Sequence, residues 1–478
     1  MADNINLSTI DQLLIASYFL AVLAVGFFSA RGNHDDPADF LLAGRSLTLP
    51  VFVMTLVSTW YGGILGVGEF SYRYGISNWV VQGVPYYVFA FVFALLLAKR
   101  IRSSNLMTIP DKLEESYDRK TAVLGAFLTF LLTTPAPYIL MLAVLLQVVT
   151  GWSLLLCLIL GTVSTTAYLF AGGFRSDVQT DILEFILMFI VIATILPFAY
   201  EKFGGLAFIE EHVPVNHLRW TGGNSAQFVL VWFFIALWTL VDPSFHQRCY
   251  AAKSGEVARK GILISIVFWI VFDAMTATAG LYARAALPDL QQPMLAYPML
   301  AEVTLPPIAK GLFYIGMLAT IMSTLNTLAF VSGTALGKDC VWRINNRGGD
   351  TSLRTYTRIG LICAACLSIV LCLVIPSVIQ LWYTIGTVIV PGLLVPLVTS
   401  YFDSLRVRAR YAFLSMICGW LTSSLWLLAG WSHALGSVEH YPFGIEPMFP
   451  GVGVSIVLWG IGKMSTAGRL FGTGGVGT

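Results

Sequence analysis

The sequence predicts an all-α protein that crosses a membrane many times. Of its 478 residues, 57% are hydrophobic and only 11% are charged, whereas soluble domains carry about 25% charged residues. The mean hydropathy of +0.77 agrees with this interpretation. Because a soluble protein must present a charged exterior, most of this chain is expected to be surrounded by lipid. The net charge of +2 and the lack of a long basic tract exclude nucleic-acid binding.

Apolar runs long enough to cross a bilayer, which takes about 20 residues, follow one another along the whole chain. The thirteen predicted spans are 10–30, 48–72, 78–98, 121–149, 152–171, 178–200, 225–242, 258–286, 309–337, 354–375, 377–401, 411–431 and 446–464. We expect the first span to be a membrane helix rather than a secretory signal, because no Lys or Arg precedes it.

The basic residues predict the orientation of the chain. If the N-terminus lies outside, only five of the 28 Lys and Arg residues lie outside and the other 23 lie inside. The five are Arg73, Lys202, Arg219, Arg284 and Lys310. Since cytoplasmic loops are enriched in Lys and Arg, we expect a multi-pass protein of the plasma (inner) membrane with its N-terminus outside and its C-terminus in the cytoplasm.

The second predicted span contains paired glycines where a helix would cross the middle of the membrane. Gly62 and Gly63 lie near its centre, and each glycine lowers helix propensity by about 1 kcal/mol. Irregular backbone within a membrane persists only where it lines a protein cavity, and its carbonyl groups are then available to a cation. Close packing of helices through small residues would explain the same glycines equally well.

The ninth predicted span carries polar side chains on one face. Its hydroxyl residues follow the i, i+3, i+4, i+7 spacing of a helix face, namely Thr320, Ser323, Thr324 and Thr327. Four hydroxyl groups that point the same way would suit a small hard cation. The alternative is that each hydroxyl bonds a carbonyl in its own preceding helical turn.

Acidic residues also lie in or at the ends of the predicted spans, where a charge is costly without a partner or water. They are Glu69, Asp181, Glu184, Asp242 and Asp273. Asp181 and Glu184 are three residues apart and therefore share a helix face. Asp273 lies deeper in its span, where it either has a functional role or bonds a neighbour such as Thr276.

Separated motifs resemble those of the sodium:solute symporter family, which includes transporters of glucose, proline and sialic acid. They are ADFLLAGRSL (38–47), TIPDKLEESY (108–117), AYLFAGGFRSDVQTD (167–181), HQRCYAAKS (246–254) and IMST (321–324), and they occur in the family's order. The resemblance implies a secondary active symporter that uses Na⁺ as coupling ion to import a small organic solute by alternating access.

A membrane-embedded sensor or a polytopic enzyme built on the same helical bundle is the alternative function. No HExxH or Ser/His/Asp arrangement is apparent in the sequence. We therefore predict no catalytic residue and no organic cofactor, with the solute and the lipid bilayer as partners.

The resemblance implies the leucine-transporter-type fold, in which two five-helix repeats have opposite topology and their first helices are discontinuous. The expected units are an extra helix with an inner loop (1–47), the first repeat (48–200), an outer loop (201–224), the second repeat (225–401) and two C-terminal helices with a tail (402–478). The first helix of the second repeat has no internal glycine, so its break is not evident from the sequence.

The resemblance also implies a sodium ion between the first and eighth core helices. Its ligands would be the side chains of Ser323 and Thr324 and the carbonyl groups of Ser58, Tyr61 and Thr320. Some family members hold a second sodium, and Asp181, Ser323, Asn326 and Thr327 match its position here. Asn326 stands where the family often has serine.

The solute is expected beside the break in the first core helix. The implied binding residues are Trp60, Tyr61, Gly62, Gly63, Gln82, Tyr86, Tyr138, Trp232, Phe233 and Trp238, with Trp382 or Tyr383 as an outer gate. The segment STWYGG followed by GEFSY also resembles the choline-transporter branch, in which aromatic rings attract a quaternary ammonium group. The solute class therefore stays open among sugars, amino acids, organic acids and quaternary ammonium compounds.

Overall fold

The computed structural model describes residues 5–29, 37–345, 350–430 and 441–472. Across these ranges the chain is helical, and its only strand-like pairing is a single bridge between Leu47 and Ala252. The principal helices are α1 (Thr9–Ser29), α2 (Leu49–Trp60), α3 (Ile64–Tyr74), α4 (Val84–Leu96), α5 (Ile109–Ser116), α6 (Arg119–Leu132), α7 (Ala136–Thr150), α8 (Leu154–Phe203), α9 (Ala226–Ile235), α10 (Trp238–Val241), α11 (Pro243–Ala251), α12 (Gly255–Ala286), α13 (Ala309–Thr334), α14 (Asp350–Val374), α15 (Val378–Ser400), α16 (Ala409–Ala429) and α17 (Met448–Gly472).

Shorter helical segments connect these elements. They lie at Pro37–Leu42, Ala43–Arg45, Trp79–Gly83, Ala98–Ser103, Leu206–His212, Val215–Leu218, Pro293–Leu295, Ala296–Thr304, Ala335–Trp342, Arg343–Asn345 and Pro442–Gly444. The segments Trp79–Gly83 and Ala335–Trp342 are π-helical, a geometry that is rare and often found at functional sites.

Twelve helical segments in the described part of the chain are long and apolar enough to cross a membrane. The remaining predicted span corresponds to Leu154–Ala167, which is apolar but shorter. It belongs to α8, a run of 50 residues that the sequence divides into two spans. The predicted all-helical membrane architecture is thus confirmed.

Gly173 explains how α8 contains two spans without a loop between them. Its backbone angles, φ 58° and ψ −148°, are not helical, and only glycine adopts them without strain. A β-carbon at this position would also lie 2.6 Å from the carbonyl oxygen of Phe40. The glycine in the AGGF motif therefore allows the chain to kink sharply against the segment that precedes α2.

Helix α13 lies at the centre of the protein. Every residue from Phe313 to Thr334 is buried, and the helix packs against α1, α2, α8 and α14. In contrast, α1 exposes apolar side chains such as Leu13 and Leu20, as expected of a helix facing lipid. The hydroxyl face of α13 is consequently surrounded by protein.

Two helices that cross the centre of the membrane are broken. A 3₁₀ turn at Tyr61–Gly63 separates α2 from α3, at the paired glycines. The second break lies between α9 and α11, where Asp242 has an extended backbone (ψ 116°). Pro243 accounts for the extended backbone of Asp242, since a residue before proline avoids the helical region. No glycine marks this break in the sequence, and the proline is the signal that was overlooked.

The start of α2 and the end of α11 are joined on one side of the membrane. The Leu47 amide donates to the Ala251 carbonyl oxygen at 3.2 Å, and the Lys253 amide donates to the Leu47 carbonyl oxygen at 2.9 Å. Arg102 Nε donates to the Ala252 carbonyl oxygen at 2.6 Å. These bonds fix the two broken helices to each other at the same end.

An ion cluster ties α5 to the end of the central helix. Thr108 and Asp111 form a capping box at the start of α5, and Lys338 Nζ lies 2.9 Å from Asp111 Oδ1. Arg343 also pairs with Asp111. Burial opposes ionisation of Asp111, but the ammonium group of Lys338 and the guanidinium group of Arg343 lower its pKa below the usual range. The TIPDKLEESY motif thus anchors the segment that follows α13.

Candidate functional site

A cavity lies where the two broken helices approach each other. Residues of the first broken helix and its turn line one side, and residues around the second break line another. The lining comprises Thr59, Trp60, Tyr61, Gly63, Val67, Gln82, Tyr86, Tyr138, Trp232, Ile235, Trp238, Asp242, Ser244, Asp273, Thr324, Leu328 and Trp382. Apolar and aromatic walls with a few polar groups are typical of a small-molecule site.

Most of the residues expected to bind solute line this cavity. They are Trp60, Tyr61, Gly63, Gln82, Tyr86, Tyr138, Trp232 and Trp238. Gly62 lies outside the lining and faces α13 instead. The Phe233 ring packs against Phe89, with ring centroids 5.7 Å apart, so the structure places it outside the cavity.

Trp60 is surrounded by aromatic rings inside the helical bundle. Its ring centroid lies 4.7 Å from that of Tyr86, 5.7 Å from Phe245 and 5.4 Å from Trp269. Edge-to-face pairs of this kind contribute about 0.5–1.5 kcal/mol each beyond area burial. The neighbours hold the indole ring of Trp60 at the cavity rather than at the lipid boundary.

Of the two residues expected to form a gate, Trp382 lies against the break in the first helix. A β-carbon on Gly63 or Gly66 would lie 2.6 or 2.5 Å from the Trp382 ring, so the indole needs glycine at both positions. Trp382 also lines the cavity. Tyr383 lies outside the lining, with its ring centroid 6.5 Å from that of Trp232.

Thr324 on α13 contacts the break directly. Its hydroxyl group donates a hydrogen bond to the carbonyl oxygen of Thr59, and a β-carbon on Gly62 would overlap the Thr324 side chain. Gly62 therefore permits the hydroxyl face of α13 to touch the backbone of the broken helix.

The other residues expected to bind sodium lie on the same two elements. Thr320 Oγ1 donates to the Gly316 carbonyl oxygen at 2.6 Å, and Ser58 Oγ donates to the Met54 carbonyl oxygen at 2.9 Å. Both hydroxyl groups bond their own helices. Of the four hydroxyls on the face of α13, only that of Thr320 follows the alternative interpretation, because those of Ser323, Thr324 and Thr327 donate to other helices. The expected ligands from Ser58, Tyr61 and Thr320 are carbonyl oxygens, so these side-chain bonds do not compete with them.

Asp181 lies in a buried ionic network with Arg248. Both side chains are completely buried, with Arg248 Nη2 3.0 Å from Asp181 Oδ2 and 4.0 Å from Asp177 Oδ2. Ser323 donates to Asp181, and Thr327 donates to Asp177 at 2.6 Å. Three residues of the expected second sodium site thus converge, and a guanidinium group lies among them.

Asn326, the fourth residue of that expected site, is also fully buried. Neither its amide nitrogen nor its amide oxygen has a hydrogen-bond partner in the described structure. Its side chain lies on α13 one residue before Thr327.

Sequence reasoning missed the role of Arg248. The predicted span ended at residue 242, so Arg248 was placed among the basic residues of an inner loop. The structure corrects this placement, because Pro243 starts α11, which continues to Ala251. A basic residue within a motif shared by the family, HQRCYAAKS, was the available signal.

The other membrane-embedded acids have partners within the protein. Glu184 accepts a hydrogen bond from the Tyr18 hydroxyl at 3.3 Å. Asp242 caps α11, accepting from the Ser244 amide at 2.7 Å. The Asp273 carboxylate accepts from the Tyr87 hydroxyl, whereas the Thr276 hydroxyl considered above donates to the backbone carbonyl oxygens of Phe272 and Asp273. Glu69 pairs with Arg73 at 3.0 Å.

Comparison with known proteins identifies the family to which the chain belongs. The sequence model of the sodium:solute symporter family matches residues 40–419. The chain belongs to this family. It is therefore a sodium-coupled symporter for a small solute, an integral membrane protein that crosses the bilayer many times.

Individual relatives agree with the family assignment. The sodium/pantothenate symporter of Haemophilus influenzae is 26% identical over 350 residues, 70% of this chain and 72% of that protein. The osmoregulated proline transporter OpuE of Bacillus subtilis is 24% identical, with 95% of this chain and 96% of that protein covered. The substrate-bound, outward-open structure of a sodium-coupled sialic acid symporter has a TM-score of 0.77 at 14% identity, covering 97% of this chain and 98% of that chain. The symporter thus has the leucine-transporter-type fold.

Gly62→Ala is expected to impair the symporter, because the new methyl group would overlap Thr324 and force α13 away from the break. Overpacking of this kind typically costs about 1–3 kcal/mol. We expect a lower unfolding temperature and loss of sodium-dependent uptake in proteoliposomes. Gly453→Ala is the matched control, since a β-carbon there meets nothing within 4 Å. Wild-type uptake by Gly62→Ala would contradict the close approach of α13.

Proposed function

We propose that the solute binds in the central cavity and that sodium binds beside it, between the Tyr61–Gly63 break and α13. The observation that supports this most directly is the contact of Thr324 with the break, next to a cavity that both elements line.

The proposed sodium ligands are the side chains of Ser323 and Thr324 and the carbonyl oxygens of Ser58, Tyr61 and Thr320. All five are neutral oxygens, which suit a small hard cation of single charge. An ion bound there would bridge α13 and the broken helix, so its binding would favour the conformation in which the break has the shape that the solute requires. Such coupling is reciprocal, because each ligand then raises the affinity for the other.

A second sodium is proposed only for a state in which Arg248 has moved. Asp181, Ser323, Asn326 and Thr327 would be its ligands, but the guanidinium group of Arg248 already supplies the positive charge beside Asp181. While that ion pair persists, we expect one sodium per transport cycle.

The remaining proposals follow the family assignment. Of Trp382 and Tyr383, we assign the outer gate to Trp382, which lies against the break. Residues 48–200 and 225–401 form the two inverted repeats, with residues 1–47 before them, 201–224 between them and 402–478 after them. The N-terminus lies outside the plasma membrane and the C-terminus lies in the cytoplasm. We propose a transporter without catalytic residues or organic cofactor, and neither a sensor nor an enzyme.

The test is uptake by the purified protein in proteoliposomes. A metabolite collection is first tested for thermal stabilisation of the protein in sodium and in potassium chloride. A compound that stabilises only with sodium is then followed under an inward sodium gradient, with an ionophore that abolishes the gradient as control. Accumulation above the outside concentration is expected. Equal uptake in potassium chloride or after ionophore treatment would contradict sodium coupling.

A further inference from the structure

The central cavity contains acidic side chains without basic ones. Asp242 and Asp273 both line it, and its described lining includes no Lys, Arg or His. Both carboxyl groups are largely buried, with exposures of 8% and 6%. Charged groups at membrane depth are costly unless a counter-charge lies nearby, so the cavity is suited to a positively charged occupant.

Among the described residues, no basic side chain pairs with Asp273. Asp242 caps α11, and the guanidinium group of Arg248 lies on the same helix, where it donates to the Ser244 carbonyl oxygen at 3.5 Å. Asp273 lies on α12, and its hydrogen bond comes from the neutral hydroxyl of Tyr87. Tyr87 in turn accepts a hydrogen bond from Trp79 Nε1 at 3.2 Å.

A π-helical segment closely approaches the carboxylate of Asp273. Trp79 and Gly83 bound the π-helical segment opposite α12, and a β-carbon on Gly83 would lie 2.9 Å from Asp273 Oδ2. The segment therefore approaches the carboxylate closely without a side chain between them. The Tyr87 hydroxyl donates to the same carboxylate oxygen, Oδ2.

Aromatic rings lie within one helical turn of this carboxylate. Trp269 precedes Asp273 by four residues and therefore lies on the same face of α12. The Trp269 ring contacts Trp60 at 5.4 Å, and the Trp269 carbonyl oxygen accepts from the Tyr61 hydroxyl at 3.0 Å. Trp60 and Tyr86 line the same cavity as Asp273, so a cation bound there would lie among aromatic rings, whose faces attract positive charge.

We propose that the transported solute is an organic amine that carries a positive charge on nitrogen, with Asp273 as its counter-charge. The inference rests on the proposed function, because it assigns a solute class to the same cavity. The ammonium group donates to the Asp273 carboxylate, while the apolar part of the solute packs against Trp60 and Tyr86. An anionic solute would meet two carboxylates and no compensating base.

The experiment compares compounds of matched size and different charge. Benzylamine, benzyl alcohol and benzoate are titrated against the purified symporter in sodium chloride, with methylamine and tryptamine as smaller and larger amines, and thermal stabilisation is recorded. We expect an amine to bind about tenfold or more tightly than the neutral and anionic analogues, since a charge-assisted hydrogen bond accounts for a difference of this size. Tighter binding of benzyl alcohol or benzoate, or no binding of any amine, would overturn the proposal.

Variants then assign the preference to one residue. Asp273→Asn keeps an acceptor for Tyr87 but removes the charge, so it should abolish the preference for amines, whereas Asp273→Glu should retain it. Glu69→Gln is the matched control, because Glu69 is paired with Arg73 outside the cavity lining. A full preference in Asp273→Asn would overturn the assignment. If Asp273→Asn fails to fold, the charge comparison in wild type and in Asp273→Glu still decides the solute class.

Failure of this inference is distinguishable from failure of the proposed function. Stabilisation of the wild-type protein by sodium alone, measured without any amine, reports on the ion site. If the protein responds to sodium but prefers neutral or anionic compounds, the proposed function stands and the amine inference fails. If the protein does not respond to sodium, the proposed ion site is wrong, whatever the protein's preference among the amines.

Discussion

Arg248→Gln is expected to lower the free energy of unfolding by about 3–5 kcal/mol, because it removes one partner of a buried ion pair. Arg248 is completely buried and contacts Asp181 at 3.0 Å and Asp177 at 4.0 Å. Its guanidinium group also donates to Thr327 at 3.1 Å. Without it, carboxylates on α8 remain in the protein interior with no positive charge beside them. Chemical unfolding in mixed micelles measures the loss.

Two further variants separate this charge effect from a general loss of packing. Lys260→Gln removes a basic residue whose side chain is 61% exposed, and surface changes of this kind usually alter stability by less than about 0.5 kcal/mol. Adding Asp181→Asn to Arg248→Gln removes one uncompensated charge, so the double variant should recover part of the lost stability. An Arg248→Gln protein as stable as wild type would mean that the carboxyl groups need no cation.

The Ser323→Ala, Thr324→Ala double variant is expected to raise the half-saturating sodium concentration about 30-fold. Loss of two hydroxyl ligands, at about 1 kcal/mol each, corresponds to a change of this size. Both residues are buried in the middle of α13, and Thr324 touches the broken helix. The measurement is solute uptake in proteoliposomes over a sodium titration, with folding checked by size-exclusion chromatography.

Ser332→Ala is the matched control for the double variant. Ser332 is buried on the same helix, but its hydroxyl donates to the Phe130 carbonyl oxygen at 3.1 Å, away from the break. It should leave the sodium dependence unchanged. Because Ser323 also donates a hydrogen bond to Asp181, the Asp181→Asn variant is measured alongside the double variant. An unchanged sodium requirement in the double variant would remove Ser323 and Thr324 from the ion site.

Local patterns predicted the parts of the site that depend on a single helix. Paired glycines at 62 and 63 indicated either a break or close helix packing, and the structure shows both, a 3₁₀ turn and the contact of Gly62 with Thr324. Helical spacing predicted one hydroxyl face on α13. The Asp242–Pro243 break was just as local, since a proline restricts the residue before it, but it was overlooked for lack of glycine. The family resemblance supplied the arrangement of the helices, which no local pattern contains.

Contacts between distant parts of the chain were beyond sequence reasoning. Asp181 and Arg248 are 67 residues apart, and their pairing depends on how α8 and α11 pack together. The hydrogen bond from Tyr87 to Asp273 spans 186 residues. A single sequence identifies costly acids at membrane depth, but their partners depend on tertiary structure.

The bridge between Leu47 and Ala252 restricts how the two broken helices can swing. Since backbone hydrogen bonds join α2 and α11 at this end, we expect the two helices to tilt together rather than independently. A tilt of one helix would move the other as well. We therefore expect a passage toward this end of the protein to open between this helix pair and the helices around α13, rather than between α2 and α11 themselves.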